Sequence, residues 1–348
     1  MKAITVIPMK AGSVRLDDLA EPRSGHDELL VEGLAMGVCG TDREIARGAY
    51  GWAPPERERL VLGHESLGQV IQAPTGSGFT PGELVVGIVR RPDPVPCPHC
   101  ASREWDMCSN AQYTERGIKS LDGYGAERYV LESSFAVRLD PSLAGVGVLL
   151  EPTTIVAKAW EHIDRIGKRA LWAPKRALVT GAGPVGLLAA LLGVQRGLEV
   201  HVFDRATEGP KPALVKALGA EYHVGRLEDA GPPTDVVLEC TGVSALVLGA
   251  INRLAPGAVM CLTGVSSGAR TTNIEFAMVN RRLVLDNAVV FGSVNANERH
   301  YQAASEALRR ADPAWLAGLI TRRVAPTNLR EAFERQRDDV KVVVDFHK

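Results

Sequence analysis

The chain has 348 residues, enough for two ordinary domains. It is 45% hydrophobic and 23% charged, the make-up of a globular protein, and a formal net charge of −1 offers nothing to nucleic acid or an anionic membrane. MKAITVIPMKAG lacks the apolar core and cleavage site of a signal peptide, and LVTGAGPVGLLAALLGV, the longest apolar run, is too short and too broken to span a bilayer. A cytoplasmic location is expected, with no membrane partner.

Up to about Phe135 the chain is rich in Gly and Pro. The short runs KAITVIP, ELLVEGLAMG, SLGQVIQA, ELVVGIV and AERYVLES predict a compact, mostly β, barrel-like domain. Within it, GVCGTDREI supplies Cys39, Thr41 and Asp42, and LVLGHESLG supplies His64 and Glu65. VLLEPTTIV then brings Glu151. A thiolate, an imidazole and a carboxylate together suit zinc, and three protein ligands leave one position open to substrate. Zinc polarises an alcohol so that it loses its proton and gives up hydride more readily, with a hydroxyl such as Thr41 placed to pass that proton outward. Singly, each has a plain reading: a cysteine after glycine packs, and a histidine can sit satisfied in a core. Their coincidence ahead of a nucleotide fold is what points to chemistry.

RRPDPVPCPHCASREWDMC brings Cys97, Cys100 and Cys108 close together in sequence. Without an export signal, clustered thiols are expected to bind metal rather than form disulfides. A closed structural zinc site needs a fourth ligand. Cys240 and Cys261, in VVLECTG and VMCLTG, read as small buried hydrophobes on parallel strands.

From about Lys168 strand and helix alternate, which predicts a doubly wound parallel sheet. RALVT leads into GAGPVG and helical LLAALLGVQRG, and then come EVHVF, KPALVKALGA, DVVLECTG, ALVLGAINRLA and AVMCLTG. GAGPVG matches G-x-G-x-x-G at Gly181, Gly183 and Gly186: a tight turn, a close backbone approach to pyrophosphate, and close helix–strand packing. Asp204, ending the next strand, is expected to accept from the ribose hydroxyls of NAD and to repel a 2′-phosphate, whereas Arg205 beside it argues for NADP. NAD is expected, with NADP possible. Pro184, Val185, Thr241 and Thr263 complete the expected cofactor contacts. Beyond NAVVFGSVNAN lie helical HYQAASEALRRA and a tail ending KVVVDFHK.

GVCGTD, GHE, the cysteine lobe and GAGPVG, in that order, resemble the zinc-dependent medium-chain alcohol dehydrogenases over essentially the whole chain. VRRP, YTERGI, LDGYGAERYV, GVLLEP and GSVNAN make it most similar, within them, to the microbial glucose 1-dehydrogenases. The resemblance implies an α/β plus β architecture, with a GroES-like β-barrel catalytic domain over 1–155 and a Rossmann domain over 156–294. The segment 295–348 would partly return to the first. It implies Cys39 and His64 as zinc ligands, Glu65 as an alternating ligand or base, Glu151 on or near the zinc, and Thr41 in the proton relay. Glu115 and Asn295 match positions that contact sugar hydroxyls or the nicotinamide region, and acidic side chains such as Glu115 and Glu151 can each accept from neighbouring hydroxyls. The plain reading of Glu115 is a surface ion pair with Arg116 or a neighbour.

Three departures stand out. Phe203-Asp204-Arg205 replaces the paired basic residues of NADP-preferring members, and Val89 stands where some members carry a glucose-binding asparagine. The family's complete lobe has four cysteines; here the first is missing. Asp93 falls near its position, with Asp106 and His99 as rival fourth ligands, and a closed site there would be structural. The expected activity is hydride transfer from an aldose or polyol hydroxyl, glucose C1 foremost, to NAD(P), in a homodimer or homotetramer joined through the strand-like NAVVFGSV. A dehydrogenase of a cyclitol, amino sugar or biosynthetic intermediate is the alternative. A non-catalytic dinucleotide sensor is the reading from another class.

Overall fold

The structure, a computed structural model, describes residues 1–266 and 276–348. The chain folds as two compact units, Met1–Glu151 with Asn295–Lys348, and Pro152–Val294. The division lies inside the helix Leu150–Gly167, rather than after residue 155.

The first unit is organised on the strand Glu28–Val38, ELLVEGLAMGV, whose apolar residues alternate inward at its start and fill both faces at its end. Arg128–Glu132, Glu65–Gln72 and Lys341–Asp345 all pair antiparallel with it. Ala136–Arg138, Leu84–Gly87 and Ile320–Val324 complete a seven-stranded sheet. KVVVD of the tail is therefore a strand lodged beside the spine, with Val342 opposite Val38. Ile4, Val6, Met36, Val38, Ile45, Leu60, Leu62, Val342 and Val344 share one buried cluster. Each such aliphatic side chain contributes about 1.5–3 kcal/mol on leaving water.

In the second unit six parallel strands run in the order Glu221–His223, Glu199–Phe203, Arg176–Thr180, Thr234–Glu239, Leu254–Leu262, Val289–Gly292. Numbered by sequence that is 3-2-1-4-5-6, the nucleotide-binding order, with its topological switch beside the first strand. RALVT is buried almost throughout, as a strand covered on both faces must be. The helix Pro184–Gln195 follows with proline at its first turn and little polarity on any side. Cys261 lies buried on Leu254–Leu262, whereas Cys240 sits one residue past the end of Thr234–Glu239 and is only half-buried by exposure of its residue.

Candidate active site

Three strand ends meet at one place in the first unit. The spine ends at Val38 and delivers Cys39 as the N-cap of the helix Gly40–Ala46. Glu65 opens the neighbouring strand opposite Gly37, and a Cβ on Gly37 would lie 2.0 Å from Glu65 Oε2, so only glycine leaves room for that carboxylate. Ligand atoms of Cys39, His64 and Glu65 all lie within 4.8 Å of one another, and His64 and Glu65 are buried. That is the mixed sulfur, nitrogen and oxygen set that zinc takes.

Two buried residues complete the cluster. Asp42, fully buried, holds its Oδ1 3.3 Å from His64 Nδ1, while its Oδ2 accepts from the Cys39 N–H at 2.8 Å. Burial alone would raise the Asp42 pKa, but His64 and the Cys39 N–H hold it below its ordinary value. A carboxylate on the far nitrogen of a metal-ligating imidazole fixes the ring's orientation. Lys341, brought in by the tail strand, donates to Glu65 Oε1 at 2.7 Å. Burial would lower the Lys341 pKa, but the Glu65 carboxylate beside it raises it. Glu65, expected to alternate as ligand or base, is thus also the partner of a buried ammonium.

Glu151, at the start of Leu150–Gly167, does not join the 4.8 Å grouping. It is nonetheless buried within the field of His64, Glu65, Lys341 and Asp42, and burial is the main cause of a pKa raised to about 7. Thr41 lies half-buried in the first turn of Gly40–Ala46.

Glu115 is no surface residue. On the strand Thr114–Arg116 it is buried, and its Oε1 accepts from Arg90 at 3.0 and 3.1 Å and from Asn295 Nδ2 at 2.7 Å. Its ion-pair partner is Arg90, not Arg116, which turns to Glu132. Asn295 holds a left-handed φ of 62°, a conformation asparagine tolerates better than most residues, and is fixed by its bond to Glu115. Two residues 180 apart in sequence are therefore one polar unit. Val89 is buried, its N–H donating to the Tyr301 hydroxyl at 3.3 Å.

The glycine motif folds as its spacing requires. Gly181 has φ +94° and donates to the Phe203 carbonyl at 2.7 Å; a Cβ on Gly186 would stand 1.8 Å from the Gly181 carbonyl. Gly183 is the N-cap ahead of Pro184 and Val185, with open space where a Cβ would stand. Thr241 and Thr263 lie just past the carboxyl ends of their strands, where α/β sheets take their ligands. Both bond to Glu239, a fully buried carboxylate that binds the Thr241 N–H at 2.8 Å and the Gly242 N–H at 3.0 Å, and whose own carbonyl takes the Thr263 hydroxyl at 2.9 Å.

Asp204, expected to accept from ribose hydroxyls, has donors of its own within the unit. Its oxygens accept from the N–H groups of Ala182 at 2.7 Å and Ala206 at 3.0 Å, and from Lys211 Nζ at 3.0 Å. Burial opposes, but these donors hold its pKa below the ordinary value. With Lys211 neutralising that charge and Arg205 exposed beside it, this corner of the unit is less hostile to a phosphate than Asp204 alone implies.

In the lobe, the sulfurs of Cys97, Cys100 and Cys108 lie within 4.8 Å of one another. N–H groups of Cys100 and Ser109 hold the Cys97 thiol down to about 5, and burial with the neighbouring thiols pushes Cys100 up to about 11. Asp93 is buried beside them: its backbone N–H reaches the Cys100 sulfur, and its Oδ2 has no hydrogen-bond partner among the described residues. The Asp93 carboxylate does not join the 4.8 Å grouping of the three sulfurs, but an orphaned, buried carboxylate oxygen on the same loop fits a cation held by the thiols. His99 is exposed, and Asp106 accepts from Asn297 Nδ2 at 2.8 Å.

Of the functional side chains, sequence reasoning gave no role to Asp42, Lys341, Glu239 and Lys211. Asp42 had a signal, as the acidic N3 residue after an N-capping cysteine. Lys341 had none.

Comparisons with known proteins show the family. Residues 25–141 match the alcohol dehydrogenase GroES-like domain and residues 144–346 the glucose dehydrogenase C-terminus. The chain is 39% identical to the glucose 1-dehydrogenase of Methanocella arvoryzae and 38% identical to glucose 1-dehydrogenase 2 of Vulcanisaeta moutnovskia, over 99% of each chain in both cases. Among solved structures it matches the glucose dehydrogenase of Haloferax mediterranei in complex with NADP, Zn and gluconolactone, with TM-score 0.92, 30% identity and 99% of each chain covered. The match over most of the chain's second half and the full-length identity place this chain in the glucose 1-dehydrogenase family of GroES-like alcohol dehydrogenases.

Proposed function

We propose that the protein oxidises the C1 hydroxyl of an aldose, glucose foremost, giving the lactone and NAD(P)H. The observation that carries this reading is the convergence of Cys39, His64 and Glu65 within 4.8 Å, with Asp42 beside the histidine. Cys39 and His64 would hold a zinc ion, with Glu65 or Glu151 completing its shell. When bound, zinc supplies Lewis acidity toward the hydroxyl and NAD(P)+ supplies the hydride acceptor. Asp42 keeps the imidazole in register. Lys341 balances the charge of the buried Glu65 carboxylate. Thr41 carries the hydroxyl proton outward. The Glu115–Asn295 unit, held by Arg90, orients the sugar's other hydroxyls. Gly181, Gly183, Gly186, Thr241, Thr263 and Asp204 form the cofactor side. Asp93, Cys97, Cys100 and Cys108 would close a second, structural zinc site.

Full-length likeness to glucose 1-dehydrogenases supports the aldose reading. The paired state of Asp204 supports use of both NAD and NADP. Among the described residues no helix is long and apolar enough to cross a membrane, which fits a cytoplasmic enzyme. Val289–Gly292 edges its sheet, and the helix Phe276–Leu285 exposes Phe276, Met278, Val284 and Leu285; these support assembly as a dimer or tetramer through that edge.

The test is a panel of aldoses, polyols, cyclitols and primary alcohols with both dinucleotides, read by NAD(P)H absorbance. Glucose is expected to exceed any non-aldose in kcat/KM by at least ~10-fold, and Glu115→Gln to raise the glucose KM by about 10-fold. Preference for a non-aldose would overturn the substrate assignment.

A further inference from the structure

The strand Glu199–Phe203 begins Glu-Val-His and its edge neighbour Glu221–His223 reads Glu-Tyr-His. Residues two apart on a strand share a face, and the parallel register sets His201 beside Glu221 and Phe203 beside His223. Two Glu-x-His pairs thus lie together on one face of the sheet edge, apart from the glycine motif and belonging to none of the sites above.

The side chains meet. His201 Nδ1 stands 2.9 Å from His223 Nε2 and 3.5 Å from Glu221 Oε2, while His201 Nε2 lies 3.1 Å from Glu199 Oε1. Glu221 Oε1 is 3.7 Å from His223 Nε2. Ligand atoms of His201, Glu221 and His223 all fall within 4.8 Å of one another, as in the cysteine lobe and the Cys39 cluster.

We propose that His201, His223 and Glu221 form a divalent transition-metal site on the edge of the nucleotide-binding sheet, separate from both sites for zinc described above. The chemistry is that of a borderline cation: two imidazole nitrogens and a carboxylate suit Cu2+, Ni2+ or Zn2+, and water fills the remaining positions. With metal–nitrogen bonds of about 2.0–2.1 Å, the 2.9 Å separation of the two nitrogens subtends about 90°. That is the angle between neighbouring ligands of a square-planar or octahedral ion, so the two nitrogens suit Cu2+ and Ni2+, with the exposed Glu221 side chain shifting from its 3.5 Å separation to join them. A tetrahedral Zn2+ needs the rings about 0.4 Å further apart.

Three further features favour a ligand role. The His201 ring is 1% exposed and packed beneath Gly231, where a Cβ would come within 2.7 Å of it, so its direction is fixed. Glu199 on its Nε2 does for it what Asp42 does for His64. The entrance is open, since the side chains of Glu199 and Glu221 are 59% and 64% exposed.

The test uses the zinc-replete, full-length enzyme. Ni2+ is added by equilibrium dialysis to wild type and to His223→Gln, with metal counted per chain. Wild type is expected to retain one equivalent that the variant lacks. Cu2+ added to the same wild-type enzyme is expected to give an electron paramagnetic resonance spectrum split by two imidazole nitrogens. Neither the Cys39–His64 pair nor the three-thiol lobe can produce that pattern, so it stands even where His223→Gln fails to fold. Equal nickel in the two folded proteins overturns the proposal, and so does a copper spectrum without the two-nitrogen splitting.

Discussion

Cys39, His64 and Glu65 reach one another from the ends of different strands, with an ammonium 276 residues downstream closing the circle, whereas Cys97, Cys100 and Cys108 meet inside one short loop. The first cluster mixes ligand types and is embedded in charge: Asp42, Glu65, Glu151 and Lys341 are all buried around it. The second is three like thiols with one buried carboxylate beside them, rooted on the strand pair Arg90–Arg91 and Thr114–Arg116. Under the proposed function, the contrast separates two uses of the same ion. A site with an open position can perform chemistry, and a closed four-ligand set can only hold shape.

The sharpest way to break that contrast is Cys39→Ser. It is expected to lower kcat/KM at least ~10³-fold, the several kcal/mol that a Lewis acid contributes, with dinucleotide fluorescence titration and the lobe's zinc content unchanged. Turnover near wild type would mean that the Cys39 cluster is not the reacting centre. Next in size is Cys100→Ser. Loss of one zinc equivalent by mass spectrometry and a Tm lower by several degrees is expected, with kcat of the folded enzyme within about twofold. Asp93→Ala should weaken the same zinc with less effect on Tm. A large loss of kcat with Tm unmoved would make the lobe catalytic after all.

The smallest effect concerns the lobe's root. Arg91 donates to both Glu132 oxygens at 2.7 and 3.1 Å, and Arg116 adds a third bond at 2.9 Å. Burial opposes ionisation of Glu132, but the two guanidinium groups hold its pKa down to about 2 from 4.5. The group binds fewer protons folded than unfolded. Its stabilisation is therefore complete above pH 4.5 and is lost as pH falls toward 2. Glu132→Gln is expected to flatten that part of the acid-unfolding curve and to cost about 1–2 kcal/mol at neutral pH, discounted because the side chain is about a third exposed. An unchanged acid limb would remove the clamp from the account.

Local signals in the sequence carried most of the fold. RALVT followed by GAGPVG, and the alternation after it, are enough to place a parallel sheet and its phosphate turn, because a buried strand and a glycine turn declare themselves within a few residues. The three lobe cysteines are legible for the same reason. Less was visible where partners are distant. Nothing near Glu65 announces Lys341, and nothing near Glu115 separates Arg90 from the adjacent Arg116 as its partner. Asp204 was read as a carboxylate at the end of its strand, and it follows Phe203 directly, but its partner Lys211 was not visible because it lies on the following helix, Pro210–Ala217. The short edge strand Glu221–His223 and the helix Leu150–Gly167 also escaped notice, the first being too brief for a period and the second carrying in its first turn Glu151, read only for its chemistry.

The tail strand Lys341–Asp345 has a consequence for biogenesis. It slots beside Glu28–Val38, yet the ribosome makes the entire nucleotide-binding unit between the two. Until that late segment emerges, the spine keeps an open edge and Glu65 waits without its ammonium, so the earlier-made unit is the last to finish folding.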